Sequence, residues 1–251
     1  MTRWKASFFH LSISATIATA VLALMLLVWY PYPLFEAVGG RQVLLILLGV
    51  DVTLGPLVTL IIFNTKKSRK ALAFDLSVIA LLQLSALIYG MSVVFQARPV
   101  FVVFSKDSFD MVTANMLIDE DIAKAEYPDY RSLSLAGPIY VFTEMPTDVK
   151  ERNDVSWSVF SGKDLPLFPK YFRPYAEHSA AAARAAKPIA QLKKLNPDRN
   201  KVINDAVGRS GRTEDELGYV PLRAKYHDQA VLVGLSDGRV ITVLPVNPWQ
   251  D

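Results

Sequence analysis

A chain of 251 residues that is 51% hydrophobic, with a mean hydropathy of +0.24, is more apolar than an ordinary water-soluble domain. Residues 1–97 carry seven Lys or Arg against three Asp or Glu, and residues 98–251 carry twenty against twenty-one. The whole net charge of +3 therefore lies in the first part, which excludes a basic nucleic-acid-binding face on the second. Cysteine is absent, so disulfides, thiolate metal sites and cysteine nucleophiles are excluded together.

Hydropathy predicts three transmembrane helices, spanning about 8–30, 42–63 and 74–95, each long enough to cross a hydrocarbon core of roughly 30 Å. The first span exceeds the roughly 7 to 15 apolar residues of a signal-peptide core and runs into Trp29 and Tyr30 rather than a small-residue cleavage site. It is read as uncleaved. Trp29, Tyr30 and Tyr32 fit an interfacial aromatic belt, with Trp4 at the opposite interface. Arg3 and Lys5 precede the first span, and Lys66, Lys67, Arg69 and Lys70 separate the second from the third. The positive-inside rule puts those six charges in the cytoplasm, and residues 98–251 outside it.

Several polar and small residues within the spans are candidate helix contacts. Asp51 lies mid-helix, where an ionised carboxylate costs a few kcal/mol, and Gln83 at similar depth is its expected partner. Interhelical packing and the docking of an outside helix or proton handling are the two readings of that pair. Ser12, Thr16 and Ala20 form a row on the first helix, and Ala86 with Gly90 a shorter one on the third. Such rows let backbones approach closely, within the bundle or with a foreign helix, and the bundle is the expected use. Gly55-Pro56 is expected to weaken or kink the second helix. Asp75 is expected to cap the third.

Residues 98–251 are predicted to form an extracytoplasmic α+β domain with a C-terminal β-hairpin, giving two domains, 1–97 and 98–251. Expected strands are Arg98 to Ser105, Ile139 to Thr143, Val155 to Phe160 and Tyr219 to Tyr226, with a helix at Met111 to Ala125. The alanine-rich Ala176 to Leu195 reads as a helix broken at Pro188, and Asn196-Pro197 starts another ending near Gly208. Ser236-Asp237-Gly238 joins the closing hairpin, Ala230 to Leu235 with Arg239 to Pro245.

Catalytic motifs are lacking: no Gly-x-Ser-x-Gly elbow, His-Glu-x-x-His, phosphate loop or dinucleotide fingerprint occurs. Asp119-Glu120-Asp121 imitates the carboxylate pair of a metal-dependent transferase but reads as a solvated acidic turn. His227-Asp228 reads as a turn, and Gly208 to Arg212 as a flexible basic loop. The expectation is no enzyme and no cofactor. Leu165 to Tyr175 holds Pro166, Pro169 and Pro174 among aromatic residues. It either packs on its own domain, the preferred reading, or presents Pro166, Phe168, Tyr171 and Phe172 to a protein partner.

The strings Trp29 to Glu36, Gly49 to Leu57, Ile61 to Asn64, Phe74-Asp75 and Gln96 to Pro99 resemble the TfpX/TfpZ family of type IV pilin accessory proteins. The resemblance covers the first hundred residues and thins beyond them to pieces such as Ala136 to Tyr140. It implies a bacterial inner-membrane protein whose C-terminal domain is periplasmic. Such a protein binds or positions its cognate major type IV pilin and modulates pilus assembly, extension or retraction, and hence twitching motility. It implies no catalytic residues. A pilin-modifying transferase is the alternative; a ligand sensor lacks an output domain, since the inner loops are only a few residues long.

Overall fold

The computed structural model describes residues 2–41, 44–45, 49–64 and 67–249, excluding the side chains of Val50 and Asp51. The start of the expected second span, the Asp51 carboxylate and Lys66 therefore lie outside the described residues. The chain divides into two compact units: Met1–Pro31 with Gly40–Gln96, and Tyr32–Gly39 with Ala97–Asp251.

The first unit is helical. Helix α1 (Arg3–Leu24) is capped by Thr2, whose hydroxyl accepts from the Lys5 amide, and continues through a widened turn at Met25–Trp29. Together these form 27 residues that include an 18-residue stretch of mean hydropathy 2.4, long and apolar enough to cross a membrane. The expected second span is described as a widened turn at Gly49–Leu54 leading into α2 (Gly55–Ile62). Pro56 has no N–H to donate and its ring crowds the carbonyl four residues back, so regular α-helical bonding gives way just upstream of it. The apolar stretch Val52–Ile62 is by itself too short to cross. Helix α3 (Arg69–Gln96) is 28 residues long, includes an 18-residue stretch of mean hydropathy 2.1 and meets the requirement. Two helices, not the expected three, thus have crossing length among the described residues.

Asp75 does not cap α3. The helix begins about two turns earlier, where the Ser68 hydroxyl accepts from the Ala71 amide at 3.2 Å, and Asp75 pairs with Lys67 at 2.5 Å.

The second unit is a mixed sheet flanked by helices. In chain order its strands are β1 (Pro99–Ser105), β2 (Ser108–Thr113), β3 (Ile139–Thr143), β4 (Phe172–Pro174), β5 (Lys187–Pro188), β6 (Leu217–Arg223), β7 (Gln229–Gly234) and β8 (Val240–Leu244). They run in the order β4-β3-β1-β2-β6-β7-β8, with β5 also on β6. The β1/β3 and β2/β6 pairs are parallel and the others antiparallel. β1 is buried along its whole length because both faces are covered, as its unbroken Val-Phe-Val-Val-Phe run requires. Val102 and Phe104 enter one core with Phe109, Val220 and Val231; Phe101 and Val103 enter another with Val141 and Phe172. That is the alternation a pleated strand imposes.

Two local expectations are corrected. Met111 and Val112 are not helical: they pair with Val102 and Phe101 in β2, and helical turns form at Ala114–Met116 and Asp119–Ile122. Long-range pairing with β1 overrides local preference there. Val155 to Phe160 is not a strand but lies in α4 (Val149–Ser158) and the short turn after it. The Asp148 carboxylate caps that helix, accepting from the Glu151 amide at 2.9 Å, and Gly162 at φ 82° ends it. Asp148-x-x-Glu151 was the legible start signal. Downstream, α5 (Ala180–Ala185), the break at β5, α6 (Ile189–Leu195) and α7 (Asn200–Ser210) follow the alanine-rich and Asn-Pro pattern.

Residues 32–39, which fall between the first two expected spans, are built into the sheet unit. Leu34 and Ala37 are buried in its core beside Val231, and the Tyr226 and His227 amides donate to the Ala37 carbonyl at 3.1 and 3.4 Å. Gln229 donates through Nε2 to the Pro33 carbonyl at 3.1 Å. Gly39 takes φ +76°, and a Cβ there would stand 2.8 Å from the Tyr226 ring.

Candidate functional site

In the helical unit α1 packs on α2 through Ser7, which donates to the Pro56 carbonyl at 2.8 Å, and through His10 Nδ1, 2.6 Å from the Thr59 hydroxyl. The small residues that α1 buries are Ala6, Ser14 and Ala18. Ser12, Thr16 and Ala20 are exposed instead, and the hydroxyls of Ser12 and Thr16 bond back to the Phe8 and Ser12 carbonyls. A shift of two residues turns about 200° around a helix, so among the described residues the expected row faces away from the buried one. On α3, Ala86 is exposed and Gly90 half-buried. The Gln83 amide lies directly over Gly55, where any Cβ would overlap it. Glycine is thus what lets α2 approach that polar side chain.

In the sheet unit the aromatic segment divides. Pro166 and Phe172 are buried, Phe172 against Phe101 and Tyr130 with ring centroids at 5.1 and 6.4 Å, and neither is available to a partner. Phe168 and Tyr171 are half-buried and line, with α4, a cleft of about 610 Å³. Its walls interleave charges. Glu151 pairs with Lys170 at 2.5 Å and accepts from the Tyr171 hydroxyl at 3.2 Å, and these hydrogen bonds, Lys170's first, hold its carboxyl below the usual range. Lys163 lies 4.4 Å above the Phe168 ring and pairs with Asp121. Beyond the cleft Trp157 and Phe160 meet in a tilted pair, ring centroids 5.6 Å apart, while standing 71% and 86% exposed. Those two residues are an apolar surface feature that the strand reading of 155–160 concealed.

The acidic turn is only partly solvated. Asp119 and Glu120 are exposed, but Asp121 is buried and its two oxygens meet Lys124 and Lys163. It is structural glue between the Asp119–Ile122 turn and the segment before Phe168. Among the described residues no three His, Asp or Glu side chains are placed to hold a metal ion.

The other polar candidates serve structure. Asp228 accepts from the Ala224 amide at 2.8 Å and from Trp249 Nε1 at 2.6 Å. The expected basic loop is the end of α7, with Gly211 left-handed after it, and Arg212 forks onto Asp237 at 2.7 and 3.2 Å. That guanidinium, with the Arg239 amide, holds the Asp237 carboxyl down at about 2. Tyr175 and Ser179 donate to the Gly238 and Asp237 carbonyls of the same turn. Asp110 is a titratable group that sequence reasoning missed. It faces Arg223 in the β2/β6 register, yet burial pushes its carboxyl up to about 6 against the pull of that guanidinium, and Asp164, Asp228 and Asp107 add to the rise.

A family model described as "Fimbrial assembly protein FimB" matches residues 1–39. Two fimbrial assembly proteins of Dichelobacter nodosus, of serogroup E1 and serogroup I, are each 31% identical over 247 residues, covering 98% of this chain and 96% of theirs. A third from that organism, of serogroups C1 and C2, is 40% identical over 117 residues, 46% of this chain and 89% of its own length. No solved structure matches the chain.

Proposed function

Since the chain belongs to the family of fimbrial assembly proteins, we propose that it is a bacterial inner-membrane accessory protein that binds and positions a cognate type IV pilin without modifying it. A role in pilus assembly follows from the family. The finer reading, a TfpX/TfpZ-like protein that shifts the balance of pilus extension and retraction, rests on the strings quoted above.

The observation that carries the proposal is the end-to-end match to those relatives in a chain with two helices of crossing length. The placement of Arg3, Lys5, Lys67, Arg69 and Lys70 supports a cytoplasmic N-terminus and a periplasmic sheet unit, with the apolar run 42–63 of the sequence as the return crossing between α1 and α3. The exposed Ser12, Thr16 and Ala20 row offers a close-approach face for another helix. The rim of the mixed-charge cleft, with Trp157 and Phe160 nearby, offers a surface for a globular head. Two contacts on one protein would raise the effective concentration of the partner.

Crosslinking of the tagged protein in native membranes, followed by identification of the captured chains, tests this directly. The expected result is capture of the cognate pilin. Deletion should lower surface pili and leave the pilin mass unchanged. A changed pilin mass on deletion, rescued by wild type and not by Asp119→Ala with Asp121→Ala, would replace this reading with a transferase.

A further inference from the structure

Strand directions gather several segments at one end of the sheet unit. β1 begins there; β2 and the parallel β6 run toward it; β7 leaves from it and β8 returns to it. The β6–β7 loop, the segment after β8 and residues 32–39 therefore share the end at which this unit joins the helices. Between them lies a cavity of about 600 Å³, whose lining includes Glu36, Arg199, His227, Asp228, Gln229 and Trp249, a volume typical of small-ligand sites. Gln229 is only 1% exposed. Its Nε2 is committed to the Pro33 carbonyl, which fixes the amide's orientation, and its Oε1 has no partner among the described residues.

We propose that this cavity binds the headgroup of a phospholipid bearing a primary ammonium and a phosphate. A buried amide oxygen without a donor is unfavourable, and an ammonium supplies three N–H donors where Oε1 and the exposed Glu36 carboxylate supply acceptors. Arg199 supplies the guanidinium that a phosphate two carbons away from the ammonium would meet. Both Asp228 oxygens are already engaged by Ala224 and Trp249, which leaves Glu36 and Arg199 as the formally charged side chains free to act among the described lining residues. A choline headgroup has no N–H to give Oε1, and a glycerol headgroup has no cation for Glu36.

The lipid source rests on the reading of α1 and α3 as membrane-crossing. Glu36 is four residues from Gly40, where helix resumes, and Pro99 is three from the end of α3. Those lengths of chain extend at most about 14 and 10 Å, so the segments at this end are tied by short connections to the helices read as membrane-crossing.

Titration of the purified full chain in detergent with phosphatidylethanolamine or phosphatidylcholine, read by native mass spectrometry, tests the inference. At least tenfold tighter binding of the ethanolamine lipid is expected. Gln229→Leu and Glu36→Gln should each cut that preference to threefold or less, and Glu36→Gln, at an exposed position, should leave the unfolding midpoint unchanged. Equal binding of the two lipids, or a preference untouched in both variants, overturns the proposal. Free O-phosphoethanolamine bound as tightly as the lipid overturns the lipid source. Alkaline carbonate extraction tests the crossing reading separately: a chain that stays in the membrane yet shows no preference refutes this inference alone.

Discussion

The two units are built from similar apolar residues with opposite fates. On α1 and α3 the large side chains point outward: Phe8 is 70% exposed and Leu27 80%, and only Ile79 and Val94 are buried along α3. In the sheet unit Phe101, Phe104 and Phe109 are wholly buried. A unit that turns most of its large apolar residues out, while burying Ala6, Ser14 and Ala18 on α1, is arranged for an apolar solvent, where close approach and hydrogen bonds drive helix packing. One that does the reverse is arranged for water. Residues 32–39 sharpen the contrast. They leave one apolar helix and lead to another helical segment, yet obey the rules of the sheet unit, with Leu34 and Ala37 in its core.

The largest expected effect sits in the water-arranged unit. Gly238 has φ +65°, and a Cβ there would overlap the Ser179 carbonyl, a backbone group with no freedom to move aside. Gly238→Val should cost about 4 kcal/mol and leave the sheet unit open to limited proteolysis while the chain remains in the membrane fraction. Full protease resistance in that variant would show the turn to be dispensable.

Next comes the segment that crosses the comparison. Gly39→Ala meets both a left-handed φ and the Tyr226 ring, and should lower the thermal stability of the sheet unit by about 2 kcal/mol, although it lies between two helical segments. No change in melting would mean that 32–39 is merely a connector.

Asp110 gives a pH signature confined to the sheet unit. Its carboxyl titrates at about 6 when folded and near 3.8 when unfolded. Between those values the folded chain holds the extra proton, so this group's contribution declines as pH rises, by at most about 3 kcal/mol, and is fully retained only below the unfolded value. Asp110→Asn should match wild type in stability below about pH 4 and exceed it by a growing margin through pH 6, as followed by melting temperature. A margin that shrinks with rising pH would mean that Arg223 outweighs burial.

The smallest effect on folding is expected on the outward face of α1. Ala18→Leu, at a buried position, should disturb the helical unit by about 1–3 kcal/mol. Thr16→Leu should leave it intact and lower only pilin crosslinking. Equal loss of chain in both variants would show that the exposed row packs internally after all.

What was legible in the sequence were elements whose cause is local. β1 and β3 are Val- and Phe-rich runs, the closing hairpin has Asp237-Gly238 at its turn, and Pro188 breaks the alanine-rich helix. What was hidden depends on distant partners. Met111 and Val112 carry no local signal that outweighs their helix-like neighbours until β1 pairs with them. Pro33 to Gly39 reads as a loop because Gln229 and Tyr226 lie almost two hundred residues away. Candidate contacts could be named by residue type, whereas which face carried them could not. Spacing alone does not distinguish the Ser14 and Ala18 row from that of Ser12, Thr16 and Ala20.

The central proposal is that the chain crosses the membrane an odd number of times, with the apolar run 42–63 returning it between α1 and α3, and carries a single outer unit to which residues 32–39 belong. A cysteine-free chain permits a direct measurement: Glu36→Cys, Lys201→Cys and Lys67→Cys, made singly and treated in intact cells, with the outer membrane permeable to the reagent, with a maleimide that cannot cross the inner membrane. The account predicts equal labelling at positions 36 and 201 and labelling at 67 only after the inner membrane is permeabilised. Labelling at 36 and 201 that differs in sidedness, or at 67 in intact cells, would contradict it.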